Sequence, residues 1–444
     1  MHQRLKRLLL LAAMPILLSA QSSPTLELSL KQAVDIALAP DGNARAQLAR
    51  EALKQAQSRI AQARAALLPN LDASVAEQNQ TRNLSSFGIN VQIPIPGFQF
   101  PEFVGPFSTF DARASVTQSV FDFGAIRRYQ ASRKGAEAAA DENDATKDEV
   151  ARQAALAYLA ALRAQVRVEA SQADVDLAQS LLELATNQKS AGTGTGIEVT
   201  RAKVQLAQAQ QQLLVARNDL RQSLLELLRA IGLRLDTPLL LTGKMDYAPM
   251  EPIAAAKALE TALASRADWM AQQKREDTAR LSYSGVKLER LPSVVGFADY
   301  GSNGASIDNS VPTRTIGLSL RVPIFDGGRR DARRSESRSQ YEQERIRTAD
   351  LRRQVELEVQ LALDDLQSSE EQVKVAAEGL DQVQAEVEQA QRRYKAGVSS
   401  SLEVTDSQTR LARARDNRIA ALFLYNRARL DLWQAMGKIR QMVD

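Results

Sequence analysis

The sequence predicts a mainly α-helical fold with a membrane β-barrel component, written as two copies of one structural repeat. Three observations predict it. Two very long helical stretches carry 3-4-spaced apolar seams, two pairs of amphipathic strands precede them, and a set of landmarks recurs after about 205 residues.

The repeat comes first because it organises everything else. Ser190-Ala-Gly-Thr-Gly-Thr-Gly-Ile-Glu-Val-Thr200 is answered by Lys395-Ala-Gly-Val-Ser-Ser-Ser-Leu-Glu-Val-Thr405, keeping Ala, Gly, Glu, Val and Thr in place. Ser119-Val-Phe-Asp-Phe-Gly124 is answered by Pro323-Ile-Phe-Asp-Gly-Gly328, and Leu228-Arg-Ala-Ile-Gly232 by Leu432-Trp-Gln-Ala-Met-Gly437. Residues 21–245 and 246–444 are therefore expected to share one layout: short helices, two strands, a long helix, a small-residue turn and a returning long helix.

The short helices are expected near 29–38 and 43–67, then 254–265 and 268–290, with Pro69 and Pro292 ending the second of each pair. The strands show period two. Phe110, Ala112, Ala114, Val116 and Val120 alternate with Asp111, Arg113, Ser115, Thr117 and Ser119; Ile316, Leu318, Leu320, Val322 and Ile324 alternate with Gly317, Ser319 and Arg321. Partner strands fall near 71–80 and 294–302, joined by loops at 87–107 and 301–311. About ten residues with one apolar and one polar face suit a lipid-facing barrel wall with a wet interior.

The long helices, near 124–188 and 328–395, would each run roughly 95–100 Å. Val373, Ala376, Leu380, Val383, Val387, Ala390 and Tyr394 form a coiled-coil seam, as do Val168, Ser171, Val175, Ala178, Leu182 and Ala185. The helix returning from the first turn carries Leu206, Ala209, Leu213, Ala216, Leu220, Leu224, Leu227 and Ile231.

Composition excludes most other functions. The chain has no cysteine, and its only histidine is His2. Disulfides, thiolate metal sites, histidine zinc sites and a Ser-His-Asp triad are ruled out beyond that position. No cofactor is expected, and no enzyme. Residues 1–20 read as a signal peptide: Arg4, Lys6 and Arg7, an apolar run from Leu8 to Leu18, then small residues near Ala20. Those three cations account for most of the +4 formal charge, so nothing points to nucleic acid. Gly192-Thr-Gly-Thr-Gly196 follows a helix, not a strand, and Asp122-Phe123-Gly124 lacks a kinase catalytic loop; neither marks a phosphate site. Trp269 and Trp433 read as packing residues.

Four strands cannot close a membrane barrel, for which about eight are needed, and open edges cannot face lipid. The barrel must be shared between chains. A periplasmic coiled-coil adaptor or scaffold is the alternative reading, but it leaves the strand pairs unexplained.

At this point the residues resemble a family. Leu28-Ser-Leu-Lys-Gln-Ala-Val-Asp-Ile-Ala-Leu38, Leu67-Leu-Pro-Asn-Leu71, Val322-Pro-Ile-Phe-Asp-Gly-Gly328 and the two Ala-Gly…Glu-Val-Thr turns are similar to the TolC-like outer-membrane efflux proteins. The resemblance implies a homotrimer with a shared 12-stranded β-barrel in the Gram-negative outer membrane and an α-helical tunnel in the periplasm. It also implies a periplasmic adaptor protein and an inner-membrane transporter as partners, for efflux or type I secretion. The helix turns would form the tunnel tip, with Glu403, Asp406 and Glu198 as gate and selectivity acids. Three copies of Glu403 and Asp406 converging on the axis would favour cations or hold a blocking multivalent cation. Acids in a first helical turn also complement the helix dipole, the simpler explanation. Tyr394 would help close the tip, with Glu198 as acceptor for its hydroxyl, or serve as the last seam residue. Gly192, Gly397 and Val398 would meet the adaptor. Ser399 stands where well-known relatives carry a latching arginine.

Overall fold

The computed structural model describes residues 26–84, 86, 88 and 103–442. The expected signal peptide and most of the 87–107 loop lie outside them.

The first repeat opens with polar punctuation that starts each of its short helices. The Ser29 hydroxyl accepts from the Gln32 amide (3.2 Å) while the Gln32 side chain accepts from the Ser29 amide (2.8 Å), a capping box for α1 (Leu30–Leu38). Asn43 caps α2 (Ala44–Ala65) and donates to the Ala230 carbonyl at 2.8 Å, tying this start to the end of a distant helix. Strands β2 (Asn70–Asn83) and β3 (Phe103–Phe121) follow, then α3 (Phe123–Ser190) and α4 (Gly196–Ile231). The second half repeats the order with α5 (Ala255–Ser265), α6 (Ala267–Leu288), β5 (Ser293–Gly304), β6 (Ser310–Arg321), α7 (Arg329–Lys395) and α8 (Ser401–Ala435), closing on the one-turn α9 (Ile439–Met442).

Two short strands and the one-turn α9 were not foreseen. β1 (Leu26–Leu28) pairs in parallel with β4 (Leu239–Leu241), joining the start of the described chain to the segment between the repeats. Three-residue strands carry too little alternation to be read from sequence. Tyr158 fastens this joint: its hydroxyl donates to the Leu28 carbonyl (3.1 Å) and accepts from the Gly243 amide (2.9 Å). Around it lies the main core, where Val150, Ala154 and Leu162 of α3 meet Val34, Leu227, Ile231, Leu430 and Ile439.

The other four strands form one antiparallel sheet in the order β2-β3-β5-β6. Registers Leu71↔Val116, Val116↔Ala298 and Ala298↔Ile316 place the apolar residues on one face, while Ser115, Asp299 and Thr315 share the other. Arg113 binds Asp111 on its own strand and reaches Asp299 at 3.6 Å, so one arginine bridges two acids of the polar face. β6 stops at Arg321, short of the expected Ile324. Pro323 offers no amide to a ladder, and Gly327 and Gly328 (φ +67° and +84°) turn the chain into α7. Below the sheet α2 packs on α3, α3 on α6 and α6 on α7, so the helices keep the order of the strands.

The long helices have 68 and 67 residues. Their seams are buried or half-buried as expected, with Val373, Leu380, Val387, Ala390 and Tyr394 in the interior of the second hairpin and Ala178 and Ala185 in the first. Among the described residues no helix is long and apolar enough to cross a membrane.

Candidate functional site at the paired helix turns

Both long helices stop on a glycine in the left-handed region, Gly192 at φ +75° and Gly397 at φ +74°. The amides of Gly192 and Thr193 reach back to the carbonyls of Lys189 (3.1 Å) and Gln188 (3.0 Å). Gly397 and Val398 do the same to Tyr394 (3.0 Å) and Arg393 (3.1 Å). This is the Schellman arrangement, which satisfies the last helical carbonyls and reverses the chain. Val398 projects into solvent beside it.

The hairpins pack together at this end. Leu181, Ala185 and Ala202 of the first enclose Tyr394, Ala390 and Val404 of the second. Gln188 also donates to the Tyr394 carbonyl at 3.5 Å.

Each of the three acids has a partner within its own chain. Glu198 accepts from the Thr195 amide (2.9 Å) and hydroxyl (3.1 Å), which caps α4. It does not accept from Tyr394, whose hydroxyl is buried with no hydrogen-bond partner. Burial pushes that phenol above its ordinary value, and the nearby Glu198 charge adds to the effect. Within one chain Tyr394 packs at the end of the seam against Leu181, Ala185 and Ala202. Glu403 pairs with Arg393 across the turn at 3.3 Å, and Asp406 pairs with Arg410 at 2.6 Å, which also holds Glu386 at 3.0 Å. Arg393 sits six residues before Ser399, so the turn has a cross-hairpin arginine from another position.

Sequence reasoning missed Arg393 and Arg410. It also missed Ser401 and Gln408, which are buried with unpartnered polar atoms. A polar residue on the seam of a returning helix (Ser401, Val404, Gln408, Leu411) was the available signal. Among the described residues no three acids of one chain lie close enough to hold a metal ion. A cation at Glu403 and Asp406 would need acids from several copies.

A sheet with a lipid-suited face, set on long paired helices that end in packed turns, defines a membrane channel subunit with a helical tunnel. The comparisons fix the family. A model described as outer membrane efflux protein matches residues 42–233 and 258–438, and the chain belongs to that family. It is 25% identical over 392 residues to the pyoverdine export outer membrane protein OpmQ of Pseudomonas putida, covering 87% of this chain and 81% of that one. It is 24% identical over 343 residues to the alkaline protease secretion protein AprF of Pseudomonas aeruginosa, covering 75% and 69%. The fold matches the CmeC outer membrane channel of Campylobacter jejuni with a TM-score of 0.79 at 17% identity, over 92% of this chain and 86% of that one. VceC of Vibrio cholerae gives 0.76 at 18% identity, over 92% and 96%. The protein is a TolC-like outer-membrane channel subunit for efflux or secretion, and the adaptor or scaffold alternative falls with its unexplained strands.

Proposed function

We propose that three copies of this chain close one 12-stranded barrel and one periplasmic tunnel, and that the tunnel works with a periplasmic adaptor and an inner-membrane transporter. In this reading residues 1–20 are the export signal, 21–245 and 246–444 are the repeats, and the protein has no catalytic activity of its own. The observation that carries it is the sheet: β2 and β6 each have a free edge, and Ile316, Leu318 and Leu320 stand exposed on one face. Lipid accepts that face but not those edges, so another copy must supply the missing partners. One relative is named for pyoverdine export and another for alkaline protease secretion. That range supports a conduit whose cargo is chosen upstream by the pump. Gly192, Gly397 and Val398 form the end that the adaptor would meet.

Glu403, Asp406 and Glu198 line the proposed entrance, each with a partner in its own chain. The pairing sharpens the test. Purified protein in a planar bilayer should give discrete conductance steps with a cation preference. Glu403→Ala/Asp406→Ala would leave Arg393 and Arg410 without those partners, so the preference should shift toward anions. Unchanged selectivity would remove the gate assignment. Absence of conductance in the wild type and in variants with tip glycines replaced would remove the tunnel.

A further inference from the structure

Charge is spread unevenly along this chain. The stretches that join the helices to the sheet, 59–68, 122–134, 280–292 and 321–338, hold fifteen Arg and Lys against five Asp and Glu, a net +10. The whole chain carries +4, so everything else sums to −6. The few acids of this zone are shared. Glu289 serves both Arg128 (3.7 Å) and Arg333 (2.9 Å), and Asp331 holds Arg290. Arg59, Arg127, Arg321 and Arg329 have no acid partner among the described residues; Arg127 donates to Gln130 at 2.7 Å.

These four arginines lie on one side of the wall. All of α2, α3, α6 and α7 line a single groove of about 920 Å³, which includes Ala52, Ala145 and Arg347. Four helices side by side share a groove on their concave side, the side that a closed tunnel encloses. Arg127 precedes Ala145 by eighteen residues and Arg329 precedes Arg347 by eighteen, about five whole turns. Arg59 follows Ala52 by seven, about two turns. Arg321 ends β6 in phase with Gly317 and Ser319, on the polar face. One acid without an ion pair, Glu336, faces the same way and accepts from Gln340 at 3.4 Å. The sign reverses on either side of this zone. The groove below carries four acids against three arginines. On the sheet above, Asp72, Asp111 and Asp299 share the polar face with Arg113.

We infer that the passage from tunnel to barrel is an anion-attracting neck, built from Arg59, Arg127, Arg321 and Arg329 of each copy. Its ligands are multivalent anions that present carboxylate or phosphate groups. Guanidinium stays charged at any working pH and matches both groups with paired donors. Rings of Arg or Lys favour anions in pores, and a cleft lined by one sign of charge concentrates the opposite sign. Arg59, Arg321 and Arg329 are exposed, so the hold is loose, as transit requires. An anionic cargo that leaves the acidic wall of the tunnel is drawn to the neck and released into the barrel.

This inference rests on the shared-barrel reading, in which three copies surround one passage, and the test separates the two. The whole protein is placed in nanodiscs of phosphatidylcholine, which has no net charge, and titrated calorimetrically with inorganic tripolyphosphate at low salt. The probe enters through the barrel, so a shut tip does not hide the neck. Wild type should bind it, and added KCl should weaken binding. Arg59→Gln/Arg127→Gln/Arg321→Gln/Arg329→Gln should weaken it by about tenfold or more. Arg64→Gln/Arg133→Gln/Arg334→Gln/Arg338→Gln removes as much charge from residues turned away from the groove. Arg133 and Arg338 precede Glu142 and Arg347 by nine residues, about half a turn out of phase. This variant should bind as the wild type does. Equal losses in the two variants would reduce the effect to net charge and overturn the neck. Native mass spectrometry of the same discs reads the assembly. Trimers that fail to bind would overturn the neck alone, and monomers would overturn the shared barrel and the neck with it.

Discussion

The α3–α4 and α7–α8 turns share one backbone and differ in what surrounds it. Each ends on a left-handed glycine with the same pair of back-reaching amides. Corresponding side chains then part company: Lys189 and Lys203 of the first hairpin are exposed, while Tyr394 and Gln408 of the second are buried. The first hairpin lies against the seam of the second and covers it. The repeat has preserved the punctuation that reverses the chain and freed the faces to specialise.

The harshest way to break the likeness is to replace the glycines. Nothing lies within 4 Å of a Cβ built at Gly192 or Gly397, so the cost of a side chain there is conformational only. Gly192→Val and Gly397→Val should each destabilise their turn by about 2 kcal/mol, given the usual penalty of about 1–2 kcal/mol for a left-handed L-residue and the added stiffness of a branched one. Hydrogen exchange of amides in the last two turns of α3 and α7 reads this locally. A markedly larger effect at one turn would mean that its backbone bears contacts the other lacks.

The second hairpin differs most in its buried polar atoms. Leaving a hydroxyl or amide without a partner costs about 1–3 kcal/mol. Tyr394→Phe and Gln408→Leu should therefore stabilise the tip by about 1 kcal/mol each, in thermal unfolding and in slowed exchange at the α7–α8 turn. Lys189 and Lys203, already in solvent, should tolerate substitution with no measurable change. A loss of stability in Tyr394→Phe would show that the hydroxyl finds an acceptor in the assembled channel. The sign of the pH effect follows from the raised phenol: a folded-state value above the unfolded one, near 10, gives stability that is complete below about pH 10 and lost as pH rises beyond it. Tyr394→Phe should remove that part of the alkaline loss.

Much of this architecture was legible because it is periodic. Leu318 and Leu320 alternate with Gly317 and Ser319, and Val373, Leu380 and Val387 mark a seam, whatever their tertiary partners. What escaped was set by partners distant in sequence. Arg393 and Glu403 meet only because Gly397 folds one helix back on the other. Gln408 is buried on α8, a helix that packs against both α7 and the distant α3. Glu198 was legible as an acid of the first helical turn, yet Thr195, three residues before it, was the better guide to its role: a threonine and a glutamate at that spacing make a capping box.

The finest comparison is between the two glutamates at matched positions. Glu198 gives its carboxylate to the first residues of its own helix, whereas Glu403 spans the turn to a half-exposed arginine. A capping interaction contributes about 1 kcal/mol, while a solvent-exposed ion pair contributes about 0–1 kcal/mol and weakens with salt. Glu198→Ala should therefore destabilise the start of α4 by about 1 kcal/mol at any ionic strength. Glu403→Ala should cost less than half as much at low salt and nothing measurable near 1 M, where screening acts within about 3 Å. Exchange at the first turns of α4 and α8, followed from low to high salt, distinguishes them. If Glu403→Ala matched Glu198→Ala at every salt concentration, the arginine would be incidental and both acids would act through the helix terminus alone.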